Sequence, residues 1–144
     1  ILDACISHIY HQRMLEVRSL DTAQQIEKYI NDNIAWDLSI EHLCAHFSIS
    51  RAELYQLFHT NFNASVADYI RSKRIAMAEQ LIRTTSMQIS EIAANVGFFD
   101  YNYFSKVFHR KFGVSPREYR KRLEDNGTGQ EKTAEQGKSN TKKA

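Results

Sequence analysis

The sequence predicts an all-α fold, and three observations carry that expectation. There are one proline and five glycines in 144 residues, too few turn-formers for a sandwich or barrel. Apolar residues recur at three- and four-residue steps, which is the helical period rather than the alternation of strands. Ser or Asp followed three residues later by Gln or Glu opens several of those stretches, as helix starts require. Hydrophobic residues make up 42% of the chain, enough for a compact core. The two cysteines, Cys5 and Cys44, form no Cys-x-x-Cys pair, so reduced thiols are expected rather than a disulfide framework or thiolate metal site. No run approaches the roughly 18 apolar residues of a membrane span, and no signal-peptide pattern is read.

In residues 1–20, Leu2, Cys5, Ile6, Ile9, Tyr10, Met14 and Val17 lie at helical spacing. They predict an amphipathic helix that needs a partner surface. Because Ile1 stands where an initiating Met would, this segment is expected to be the remnant of a larger upstream domain. Cys5, His8 and His11 follow one another at three-residue steps, but such steps drift around a helix and supply no fourth ligand, so no metal is assigned. Asp21 with Gln24 marks a helix start, and a new domain is expected over 21–124. Its first helix carries Ile26, Tyr29, Ile30 and Ile34. Trp36, the single tryptophan, is expected to be a buried anchor.

Ser39 then caps a short helix, Ile40 to His46, with Leu43, Cys44 and Phe47 inward, and Ser48-Ile49 makes a turn. Ser50 and Glu53 form a capping box that opens a second helix. Its inner face holds Leu54, Leu57, Phe58 and Phe62; its outer face holds Ala52, Tyr55, Gln56 and His59. Ser65 caps a long helix from about Val66 to Arg83, roughly 27 Å of rod.

The stretch from Ile89 to Tyr119 repeats the plan: a short helix, a turn at Val96-Gly97-Phe98, and a second helix. Phe104, Phe108 and Phe112 line one side of that helix; Asn102, Ser105, Lys106 and His109 line the other. Ile40, Leu43 and Phe47 align with Ile89, Ile92 and Val96 at an offset of 49. Phe58, His59, Phe62, Asn63, Ser65 and Tyr69 align with Phe108, His109, Phe112, Gly113, Ser115 and Tyr119 at an offset of 50. A duplicated helix-turn-helix explains this register. Asn63 and Gly113 are paired because both residue types tolerate the left-handed backbone that ends a helix. Ser115-Pro116-Arg117-Glu118 opens a last helix to about Glu124. Beyond Asn126 there is no aliphatic larger than Ala, and a disordered tail is expected over 125–144.

Charge is uneven although the net value is only +2. From Ile1 to Asp37 three Lys/Arg face six Asp/Glu; from Tyr101 to Leu123 seven face Glu118 alone. A helix-turn-helix beside a cationic stretch points to double-stranded DNA, with the second helix in the major groove. Nucleophile elbows, phosphate-binding glycine loops and paired carboxylates are not read, so no enzyme is expected. A helical protein-interaction module is the alternative.

Ile89-Ser90-Glu91-Ile92-Ala93, Gly97-Phe98, Tyr103-Phe104-Ser105, Phe108, Phe112-Gly113, Ser115-Pro116 and Tyr119-Arg120 together resemble the signature of the AraC/XylS transcription regulators. Arg74-Ile75-Ala76-x-Ala78-x-x-Leu81 resembles that family's linker-helix motif. The resemblance covers about Thr22 to Leu123. It implies seven helices, with two helix-turn-helix units joined by a long linker helix, in the C-terminal DNA-binding domain of a bacterial regulator. It also implies a cytoplasmic, nucleoid-associated protein without a cofactor, with RNA polymerase as a partner and activation expected ahead of repression. Dimerisation is expected through the N-terminal helix or an upstream domain. No β-rich effector domain is read here, so sensing is expected either outside these residues or not at all.

By the same resemblance, base contacts fall on Ala52, Tyr55 and Gln56 in the first unit and on Tyr101, Asn102, Ser105 and Lys106 in the second. Asn102 and Gln56 suit adenine, Lys106 suits guanine, and Tyr55 and Ala52 suit a thymine methyl. Expected backbone contacts are Arg51, His59, His109, Arg110, Arg117 and Arg120, with the helix N-termini near Ser39 and Ser86. The chain departs from the family pattern at Asn63, commonly Gly, and at His59 and His109, commonly Lys.

Overall fold

In the computed structural model, the residues described are 2–135, with side-chain environments for 4–127. Seven helices and no strand occur among them: α1 (Leu2–Asp32), α2 (Ile40–Phe47), α3 (Arg51–Phe62), α4 (Val66–Thr84), α5 (Ile89–Asn95), α6 (Tyr101–Phe112) and α7 (Pro116–Glu135). They fall into two compact units, one up to Arg74 and one from Ile75 onward. The division lies inside α4.

In the first unit, α1 differs from expectation. The helix anticipated over residues 1–20 and the one anticipated from Asp21 are a single element of 31 residues. No Gly or Pro interrupts it, and Asp21 accepts from Gln25 Nε2 at 3.2 Å as an ordinary i,i+4 pair instead of capping. What changes near Asp21 is burial. Ile6, Ile9, Tyr10 and Val17 are more than half exposed, whereas Ala23, Ile26 and Ile30 are buried. With Ile34, Leu38, Leu43, Leu54, Phe58, Val66 and Ile70, those three are the buried apolar residues of this unit. Trp36 is not the buried anchor expected: it is 71% exposed. Ile34 and Leu38 take the inward positions on either side of it, and its backbone is what the fold engages: its N–H donates to the Asn33 carbonyl at 2.9 Å and its carbonyl accepts from Arg74 Nη2 at 3.1 Å.

Ser39 caps α2 through the His42 N–H, and the Ser50–Glu53 capping box opens α3 in both directions. Tyr29 of α1 ties α2 down, with its ring 4.1 Å from that of His46 and its hydroxyl 2.7 Å from His42 Nε2.

In the second unit, Ile75, Ala78 and Ile82 of α4 pack with Ile89, Ile92 and Ala93 of α5, Val96 and Phe98 of the turn, and Phe104 and Phe108 of α6. The α5 helix begins two residues later than the Ser86 cap anticipated. Gln88 is its N-cap residue, and the Gln88 N–H donates to Glu91.

The duplication extends to packing geometry. Phe58 meets Tyr69 edge-on at 5.3 Å and 85°, and Phe108 meets Tyr119 at 5.5 Å and 81°. Asn63 and Gly113 both end their helices with positive φ, at 49° and 77°. Ser65 and Ser115 then cap α4 and α7, each accepting from the third residue of the helix at 3.2 Å.

The last helix also departs from expectation. It continues to Glu135, through the first part of the segment anticipated to be disordered; residues 136–144 of that tail lie outside the described residues. Propagating a nucleated helix needs one hydrogen bond per added residue and no buried side chain, so the polar composition of 126–135 does not stop it.

Candidate nucleic-acid interface

The outer face of α6 is set by the burial of its opposite side. Phe104 and Phe108 are fully buried, so Asn102, Lys106, His109 and Arg110, which lie 80–180° around the helix from them, are exposed. Ser105 is half-buried at the edge. Together with Ser115 these five residues line one open concavity of about 760 Å³. Three basic side chains and three hydrogen-bonding ones therefore share a single surface. Tyr101 is set apart from them: it is half-buried, packs on the core cluster and lies 6.2 Å from the Phe104 ring.

The N-terminus of α6 already holds an anion. Asp100 Oδ1 accepts from the N–H groups of Asn102 at 2.9 Å and Tyr103 at 3.3 Å. A carboxylate there occupies the donors that a phosphate would use. The N-terminus of α2 is similar, since Asp37 accepts from both the N–H and the hydroxyl of Ser39.

The α3 face has the same layout with less charge. Ala52, Tyr55, Gln56 and His59 are exposed, and Leu54 and Phe58 are buried behind them. Arg51 is exposed but forms an ion pair with Glu41, so its charge is partly cancelled. His59 is the only other basic side chain on this helix.

Among the expected backbone contacts, Arg110 and Arg117 are exposed and His109 lies in the concavity. Arg120 is a correction. Its Nη1 donates to the Met87 carbonyl at 2.5 Å, and its Nη2 donates to the carbonyls of Thr85 at 3.2 Å and Ile82 at 3.5 Å. That guanidinium closes the end of α4 and the segment leading to α5, where carbonyls have no helical donors, so its hydrogen bonds are spent within the fold. The rod lysine and arginines are likewise engaged: Arg71 with Asp68, Lys73 with Glu27, and Arg74 with the Ile34 and Trp36 carbonyls. Sequence reasoning passed over Phe99, which stands in the turn ahead of α6 at 91% exposure. The signal available was its position, outside the helical stripe and between Gly97 and Asp100.

Among the described residues no helix is long and apolar enough to cross a membrane.

A family of helix-turn-helix domains matches residues 43–122. The transcriptional activator RhaR of Cronobacter sakazakii is 38% identical over 100 residues, 69% of this chain and 35% of the relative. Among solved structures, the C-terminal domain of the two-component response regulator yesN from Fusobacterium nucleatum is 30% identical, with a TM-score of 0.65 over 69% of this chain and 98% of that one. A transcriptional regulator from Chromobacterium violaceum, described as containing an AraC-type DNA-binding domain, is 27% identical, with a TM-score of 0.64 over 75% of this chain and 94% of that one. The chain thus spans about a third of the curated relative's length and nearly all of the two solved domains.

Proposed function

Since this chain belongs to the AraC/XylS family of helix-turn-helix proteins, we propose that it is a sequence-specific double-stranded DNA-binding transcription regulator. The observation that carries this reading is the α6 concavity, where Asn102, Ser105 and Lys106 share one surface with His109 and Arg110. Such a surface combines the donors and acceptors that read base edges with the cations that hold phosphate.

The duplicated unit supports two recognition helices, α3 and α6, reading successive major grooves. In this reading Asn102 and Lys106 read bases through adenine- and guanine-type contacts, with Ser105 and Tyr101 at the edge. Gln56, Tyr55 and Ala52 do the same on α3. Arg110, Arg117 and His109 hold phosphates beside α6, and Arg51 and His59 hold them beside α3. The bulk of the salt-dependent affinity falls on α6, because Glu41 offsets Arg51 on the other helix.

Activation rather than repression is supported by the activator name of RhaR, and RNA polymerase is the partner an activator engages in the bacterial cytoplasm. The apolar face of the first half of α1, exposed at Ile6, Ile9 and Val17, is the surface that would support dimerisation.

Selection of bound sequences from random duplex DNA tests the reading. Wild type should enrich a defined site, and Lys106→Ala should bind it with a loss of about 1–3 kcal/mol and relaxed preference at one base pair. An unchanged preferred site would remove Lys106 from the reader set. Failure to enrich any duplex at low salt would favour the protein-interaction module instead.

A further inference from the structure

Two consecutive phenylalanines in the turn ahead of α6 go to opposite environments. Phe98 is 7% exposed and packs 5.2 Å from the Phe104 ring, whereas Phe99 is 91% exposed. Phe99 is absent from the core that Phe98 joins. A fully hydrated phenyl ring forgoes the gain of burial, and nothing in the fold of this unit uses it. Its position is specific: it immediately precedes Asp100, the N-cap of α6. Tyr103, on the first turn of the helix, is also 47% exposed. The corner at the start of α6 therefore carries apolar surface, next to Asn102.

In a helix-turn-helix the first residues of the second helix meet the base edges. The apolar feature of the major groove is the C5-methyl group of thymine. Asp100, the next residue, holds a carboxylate on the first N–H groups of α6, which disfavours a phosphate at this corner and favours an apolar contact on the groove floor for the ring. We propose that Phe99 is a specificity-determining residue whose ring rests on a thymine methyl beside the bases read by Asn102 and Lys106. The proposal rests on the reading of α6 as a recognition helix.

Thymine-to-deoxyuridine replacement, which deletes only the methyl group, provides the test. The full chain and its Phe99→Ala variant are titrated against the site enriched from random duplexes, with each thymine replaced in turn. Exposure of the ring means that the variant should keep the wild-type melting temperature. At one thymine, replacement should weaken wild-type binding about fourfold, the value of one buried methyl group, and leave the variant unchanged. Equal responses of wild type and variant at every thymine would overturn the proposal. So would a variant that binds like wild type but fails to activate transcription, because the ring would then meet a protein surface. If no duplex is enriched at all, the DNA-binding reading itself falls, and that outcome is distinct from either of these.

Discussion

Tyr69 donates its phenolic hydrogen to Glu27 Oε1 at 2.9 Å, and fifty residues later Tyr119 donates to Glu79 Oε1 at 2.6 Å. The donors are equivalent in the repeat; the acceptors are not, since Glu27 lies on α1 and Glu79 on α4. Each ring also packs edge-on against a buried phenylalanine. Replacing either tyrosine with Phe should therefore cost about 1 kcal/mol, the value of one hydrogen bond. Replacement by Ala should cost about 3 kcal/mol, because the ring contacts go as well. Urea unfolding of the four variants measures both steps.

Glu27 confers an acid dependence. Hydrogen bonds from Lys73 first and Tyr69 second hold its carboxyl below the ordinary carboxylate value, against a smaller opposing effect of burial. A depressed value in the folded state means that protonation favours unfolding. The stabilisation is thus complete above about pH 4.5 and is lost as pH falls below that through the depressed value. Comparing wild type with Glu27→Gln from pH 7 to 3 should show wild type losing up to about 1 kcal/mol more, a figure suited to a pair one-third exposed on each side. Parallel curves would remove Glu27 from the acid response.

Arg120 should behave as a structural residue. Arg120→Ala leaves the carbonyls of Met87 and Thr85 without their donor and should destabilise the protein by about 2 kcal/mol. A phosphate contact would instead leave stability untouched and lower the slope of log affinity against log salt by about one. Denaturation and salt titration of the same variant decide between the two.

Gly113 ends α6 at φ 77°, and a Cβ built there meets nothing within 4 Å. The cost of Gly113→Ala is then purely conformational, about 1 kcal/mol. Calorimetry should show that loss with no change in base preference, because the residue lies at the far end of α6 from Asn102.

The features legible in the sequence are those written in local chemistry. Ser50 with Glu53, Ser65, Ser115, and the pair Asn63 and Gly113 each announce a helix end through the one backbone group they satisfy or the one φ they allow, and each is found where expected. The phenylalanine stripe of α6 likewise fixes which of its side chains face outward. Features that depend on competition between distant groups were not legible. Arg120 has the composition of a phosphate contact until three carbonyls converge on it. Trp36 has the composition of a core residue until Ile34 and Leu38 fill the inward positions. Asp21 with Gln24 has the pattern of a helix start, but a helix already running through Ser19 and Leu20 has no reason to stop.

The unbroken α1 has a mechanical consequence. Its 31 residues make a rod of roughly 46 Å, with no proline or glycine at which it could pivot. Glu27 and Tyr29, which grip α4 and α2, sit on the same stiff element as the uncovered Ile6 and Ile9. A twist or pull applied to the uncovered end therefore arrives at those two grips without being absorbed on the way, as a lever delivers torque to its load.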